Sequence, residues 1–159
     1  MSDIVRYKRS QIALHWVVAL LIAVNYFLGS AMEEAFTLLV RGQTTEVSAG
    51  ANAHRMVGVA VLLLVAARLV LRRRNGVPPD PATSPDWMKK AAKLGHSALY
   101  VLMFVVPISG MVAFTGLNPG VAAIHGVLVN LLILLALGHA SVALYHHYFM
   151  KDGLLKRMM

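Results

Sequence analysis

The chain has 159 residues, 58% of them hydrophobic and 14% charged, with a mean hydropathy of +0.65, too apolar for an ordinary water-soluble domain. It has no cysteine, which excludes disulfides, thiolate metal sites and iron–sulfur clusters. A net charge of +8 would suit a nucleic-acid partner, but the basic residues flank the apolar runs, and that placement reads as membrane topology with lipid as the surroundings.

Four apolar runs follow one another, at about 12–29, 54–71, 94–115 and 121–149. Each is about as long as a bilayer-spanning helix needs to be. Helix is the expected form because backbone polar groups in lipid must be satisfied within the segment. The third run holds Pro107 in its interior, an expected kink, and the fourth is long enough to cross with tilt or to protrude. Residues 77–85, with Pro78, Pro79, Pro81 and Pro85, read as a stiff linker between the second and third runs. The expected fold is all-α, a single integral-membrane four-helix bundle over residues 1–159.

The charges orient it. Arg6, Lys8 and Arg9 precede the first run, and Arg72, Arg73, Arg74, Lys89, Lys90 and Lys93 lie between the second and third. Lys151, Lys156 and Arg157 follow the fourth, so twelve of the 15 Lys and Arg residues fall on one side. The other side carries Arg41 and Arg55 with Glu33, Glu34 and Glu46. The expectation is a multi-pass protein of the bacterial inner membrane with both termini cytoplasmic. A cleaved signal peptide over 1–31, with Gly29-Ser30-Ala31 as the cut site, is the competing reading. That cut would discard His15 and invert the charge pattern.

His125 and His139 stand 14 residues apart in the fourth run. On an α-helix that interval falls ~40° short of four turns and rises ~21 Å, so both rings share a face at two depths of a hydrocarbon core ~30 Å thick. His54 opens the second run on the same side as His125, and His15 lies one turn into the first run from the cytoplasmic side, so His15–His139 and His54–His125 can pair at two levels. Intramembrane ionisable residues are functional candidates by default, and neutral imidazole is a normal haem iron ligand. Two stacked haems need one axial histidine per level on a shared face. Gly58, Gly126 and Gly138 would leave room for a flat macrocycle, although small residues also favour plain helix packing. Zinc is the competing metal, but a single tetrahedral centre cannot join His125 to His139 across ~21 Å. The remaining alternative for each ring is an interhelical hydrogen bond or a place among the headgroups.

Several stretches carry a resemblance. They are Gln11-Ile12-Ala13-Leu14-His15-Trp16, His54 through Arg68 to Arg72, Leu94-Gly95-His96, and His139 through Tyr145 into His146-His147-Tyr148-Phe149, Lys151-Asp152 and the end of the chain. The chain resembles the bacterial cytochrome b561 family over nearly its whole length. The resemblance implies a four-helix cytochrome with two non-covalent b haems, ligated by His15 and His139 toward the cytoplasm and by His54 and His125 on the outer side. It also implies electron exchange with ubiquinone, and one branch of the family oxidises superoxide at the outer face. Two departures bear on the donor. The loop at 115–123 is much shorter than in that branch, and the generous 30–53 segment is acidic, so superoxide would be repelled unless Arg41 and Arg55 dominate.

His96 and His146, with Ser10 and Gln11, form a candidate ubiquinone site at the cytoplasmic end, since histidine supplies hydrogen bonds and protons near neutral pH. Their alternative is an interfacial position beside Tyr148, which is the reading for His147. Arg68 follows His54 by 14 residues, so it returns to the haem-facing side and can pair with a propionate or snorkel to the interface. The function read from this is di-haem electron transfer between an outer donor, superoxide or a redox partner subunit, and ubiquinone. The alternative is a haem b membrane-anchor subunit of a larger quinone-linked dehydrogenase or hydrogenase; a haem-free scaffold or transporter subunit is a third class.

Overall fold

Helix starts are fixed by polar groups that take up orphan backbone N–H donors. A computed structural model describes residues 6–43, 46–79 and 85–159; Pro81 of the proline-rich linker lies outside the described residues. Helix α1 spans Arg9–Phe27, and Gln11 Oε1 accepts from the Lys8 N–H at 3.2 Å to close its first turn. Helix α2 spans Gly29–Val40. Helix α3 spans Ala49–Asn75 behind Ser48, whose Oγ accepts from the Ala51 N–H. Helix α4 runs Asp86–Thr115 after Pro85. Helix α5 runs Pro119–Tyr145, capped by Asn118 Oδ1 on the Val121 N–H, with proline at the first position where its missing N–H costs nothing.

Helices α1, α3 and α4, and α5 with the turn that follows it, are each long and apolar enough to cross a membrane. They start earlier than the apolar runs predict because the helices continue into capped polar turns. Helix α4 in particular begins eight residues before residue 94, and that extra length carries Lys89, Lys90 and Lys93. Pro107 is held inside α4. The 30–53 segment is not a plain loop. Leu28 keeps α-type dihedrals, and the bonds Leu28 N–H to Val24 and Met32 N–H to Leu28 carry the helical ladder from α1 into α2. Helix α2 then folds onto α3, where Gly50 sits so close to Ala31 that any Cβ on it would meet the alanine methyl at 2.9 Å.

The bundle packs in the order α1–α3–α4–α5, with α2 laid against the start of α3. Its fully covered core is small: Val18, Val61, Val65, Met103 and Leu132. Leu20, Leu63, Leu134 and Leu137 lie outside it and are well exposed, as expected of surfaces that meet lipid tails rather than water. The core layer falls between the histidine levels, since Val61 follows His54 by seven residues and Leu132 lies midway between His125 and His139.

Both ends of the chain close the same end of the bundle. After α5 a π-helical turn, His146–Met150, redirects the chain, and a 3-10 turn, Leu155–Met158, crosses beneath α1. Tyr7 N–H donates to Arg157 O, Trp16 Nε1–H to Met158 O at 2.8 Å, and Arg157 to Pro79 O. Gln11 is buried, and its Nε2 donates to Gly76 O at 3.1 Å, tying α1 to the exit of α3. Removing a buried amide engaged at both ends leaves Lys8 N–H and Gly76 C=O without it, a cost of about 1–3 kcal/mol. Gln11→Ala should therefore lower the thermal unfolding midpoint in detergent. An unchanged midpoint would mean that this contact does not hold the end of the bundle together.

Candidate functional site

The four membrane histidines fall at two levels. Helix α5 is α-helical without interruption from His125 to His139, so the ~21 Å separation holds. At the α2 end, His54 and His125 lie within electrostatic range of each other and line one cavity of about 940 Å³, at the upper end of the range for small-molecule sites. Gly58, Gly110 and Gly126 line it too, and α2 covers its mouth with Met32, Glu33 and Phe36. Arg55, also on the wall, lies over the Phe114 ring at 4.2 Å. That cation–π contact keeps a positive charge at the mouth.

Both rings there are held by the same nitrogen. His54 Nδ1 faces Asn25 O at 3.1 Å. His125 Nδ1 faces Val106 O at 2.9 Å and Ser109 Oγ at 3.1 Å, while the Ser109 hydroxyl donates to Val106 O. A carbonyl oxygen only accepts, so Nδ1 carries the proton in each ring and Nε2 keeps its lone pair. That is the arrangement of a metal-binding histidine, whose orientation and tautomer are fixed by the bond its other nitrogen makes. Gly110 is required for it: a Cβ there would meet His125 Cε1 at 2.9 Å and Nδ1 at 3.2 Å.

At the terminal end, His139 is flanked by two rings. His15 is centred 6.4 Å away and His96 5.1 Å away, both edge-on. His96 Nδ1 donates to Ala92 O at 2.7 Å. His15 Nδ1 is buried with no hydrogen-bond partner among the described residues. Arg68 lies within electrostatic range of both His15 and His139, and its guanidinium is 5.5 Å from the centre of the Tyr100 ring. Arg68 forms no ion pair among the described residues. It lines a small cavity of about 10 Å³, room for roughly one water, together with Tyr7, Gln11, Arg72, Tyr100 and Met158.

The other residues singled out at this end separate. Ser10 is exposed in the first turn of α1. Gln11 has both ends of its amide engaged, as described above. His146 does not point into solvent: it is buried, and its Nδ1 lies 2.5 Å from Asp152 Oδ2. His147 stacks edge-on against Tyr148 at 4.9 Å. Sequence reasoning missed Asn25, Ser109 and Gly110, whose roles arise from contacts across helices. Asp152 lay in a stretch already quoted for resemblance, and an acid six residues beyond a histidine was the available signal.

The family model for prokaryotic cytochrome b561 matches residues 6–159. The chain belongs to this family. It is accordingly a bacterial membrane electron-transfer protein of a haem b-binding type. It is 42% identical to cytochrome b562 of Cereibacter sphaeroides, covering 96% of this chain and 94% of the relative. It is 30% identical to cytochrome b561 homolog 1 of Escherichia coli K12, over 97% of each. It is 28% identical to a probable superoxide oxidase of Yersinia pestis, over 97% of this chain and 96% of that one. Among the described residues no three or more His, Cys, Asp or Glu side chains converge on one metal position. Gly110→Val would push the His125 ring off its carbonyl. It should lower the haem b absorbance of purified protein; an unaltered spectrum would show that His125 need not sit where it does.

Proposed function

We propose that this chain is a single-domain di-haem b cytochrome that carries electrons from a donor at the outer face of the bacterial inner membrane to ubiquinone at the cytoplasmic face. The observation that carries the reading is the stacking of two histidine pairs on either side of a buried apolar layer. At the outer level both imidazoles already present Nε2 with Nδ1 occupied.

The residues fit the group. His15 and His139 face each other edge-on with ring centres 6.4 Å apart, and His15 Nδ1 is buried without a hydrogen-bond partner among the described residues. His15 and His139 would hold one haem, His54 and His125 the other, and Arg68, a cation beside the first pair without an ion-pair partner among the described residues, would receive a propionate carboxylate. Haem b supplies one-electron chemistry at its iron. The chain's own residues do the rest. Asn25 O and Val106 O fix two of the rings, Val61, Val65 and Leu132 keep the space between the levels free of water, and Arg68 offsets negative charge at the lower level.

The sidedness follows from the basic residues gathered at the terminal end, which the positive-inside rule assigns to the cytoplasm, with both termini. At that end His96, against His139, and the buried His146 are the groups that bond and protonate ubiquinone; Ser10 stands exposed on α1, and the Gln11 amide is already engaged. On the outer side, superoxide is the donor that the Yersinia pestis relative's name supports, and Arg55 at the cavity mouth is the cation that would attract it. Exposed Glu33 and Glu34 on α2 favour the second reading, an anchor subunit with a redox partner seated on that helix.

Histidine substitutions test the ligand assignment. His54→Ala or His125→Ala should abolish one haem spectrum, and His15→Ala or His139→Ala the other. Full haem content in all four variants would overturn it. The donor is decided separately. Isolated chain should be reduced rapidly by a superoxide source, and more slowly as salt screens Arg55. No reduction, together with co-purification of a redox subunit, favours the anchor.

A further inference from the structure

His146 and Asp152 form a carboxylate–imidazole pair that the family assignment does not explain. Their side chains are 8% and 9% exposed, in a protein where Gln11 and His146 are the buried polar residues among those described. The chain bends sharply to make the pair. The α-helix gives way to the π turn at His146, Lys151 adopts a left-handed conformation with φ 51°, and Gly153 follows with φ 74°. π turns concentrate at functional sites. Asp152 is oriented by its own loop, since Oδ1 accepts from the Leu154 N–H at 3.0 Å and leaves Oδ2 for His146.

A loop-closing role alone needs only the Leu154 bond, which an asparagine oxygen would make equally well. The second oxygen, placed on a water-excluded imidazole, has a different chemical effect. A carboxylate accepts and cannot donate, so it fixes the proton on Nδ1, turns Nε2 toward whatever approaches, and stabilises the ring when Nε2 is also protonated.

We propose that Asp152 is a positioning residue that holds His146 as the proton donor to a quinone carbonyl oxygen. This rests on the ubiquinone reading above. Reduction of a quinone to a quinol takes up two electrons, supplied by the outer donor, and two protons, one at each oxygen. One of those protons is first taken up at Nε2 of His146 from the cytoplasmic water and then passes to the quinone oxygen, an N–H bond breaking as an O–H bond forms, which returns the ring to its Nδ1–H form.

The test compares Asp152→Asn and Asp152→Glu with the unaltered protein in nanodiscs, haem-loaded and chemically reduced, using a short-chain ubiquinone as oxidant. Asp152→Asn keeps the Leu154 cap, so haem content and melting temperature should hold. The maximal rate of haem oxidation should fall at least about tenfold, within the usual contribution of a positioned acid, at an unchanged half-saturating quinone concentration. Asp152→Glu should restore much of the rate. A second readout is independent of turnover: nitrogen-15 NMR of labelled histidine, with His146 identified by His146→Gln, should report the Nδ1–H form in the unaltered protein and its loss in Asp152→Asn. An unchanged rate, or equal loss in the Asn and Glu variants, overturns the proposal. If Asp152→Asn fails to fold, the Asp152→Glu rate and the NMR signal of the unaltered protein still decide it. If quinone fails to oxidise the unaltered protein, the ubiquinone reading falls and this inference with it.

Discussion

A hydrocarbon core offers no water to a polar group, and the rest of this structure depends on that constraint. Every imidazole carried into the membrane must find a partner inside the bundle or pay the full cost of desolvation. At the α2 end of this chain the partners are backbone carbonyls. Asn25 in the last turns of α1 and Val106 beside Pro107 each accept from a histidine of another helix. Such a bond satisfies one nitrogen, selects the tautomer and aims the other nitrogen into shared space. Functional orientation and membrane solvation are thus met by one set of contacts.

The same constraint explains the architecture around those rings. The covered core is a thin layer of Val18, Val61, Val65, Met103 and Leu132, because lipid rather than protein covers the remaining apolar surface. Polar groups collect at the two ends, where they become structural. The terminal end is laced by hydrogen bonds between α1, the exit of α3 and the last turn, and the opposite end is covered by α2. On the proposed reading, the layer between is the insulation across which electrons pass from one level to the other.

Much of this was legible in the sequence because membrane helices obey strong rules. Apolar length gave four crossings, and a fixed rise per residue stacked His125 over His139. What the sequence did not disclose depends on close approach between helices. No periodicity reveals that the 30–53 segment folds as α2 upon Gly50, that Gly110 exists to admit the His125 ring, or that Ser109 bonds it. Nor could 100° per residue give His146 its partner: the residue keeps α dihedrals, and it is the left-handed Lys151 and the Gly153 beyond that accompany the return of Asp152 onto its ring. The contacts of Gln11 were hidden for a related reason: its amide is engaged at Lys8 and at Gly76, the latter 65 residues away in sequence.

The central claim is that two depth-separated histidine pairs each hold a haem. A pyridine haemochrome assay on purified protein of known concentration tests it most directly. The account predicts two haem b per chain, none covalently attached, as a chain without cysteine requires. One haem per chain, or none, would contradict it.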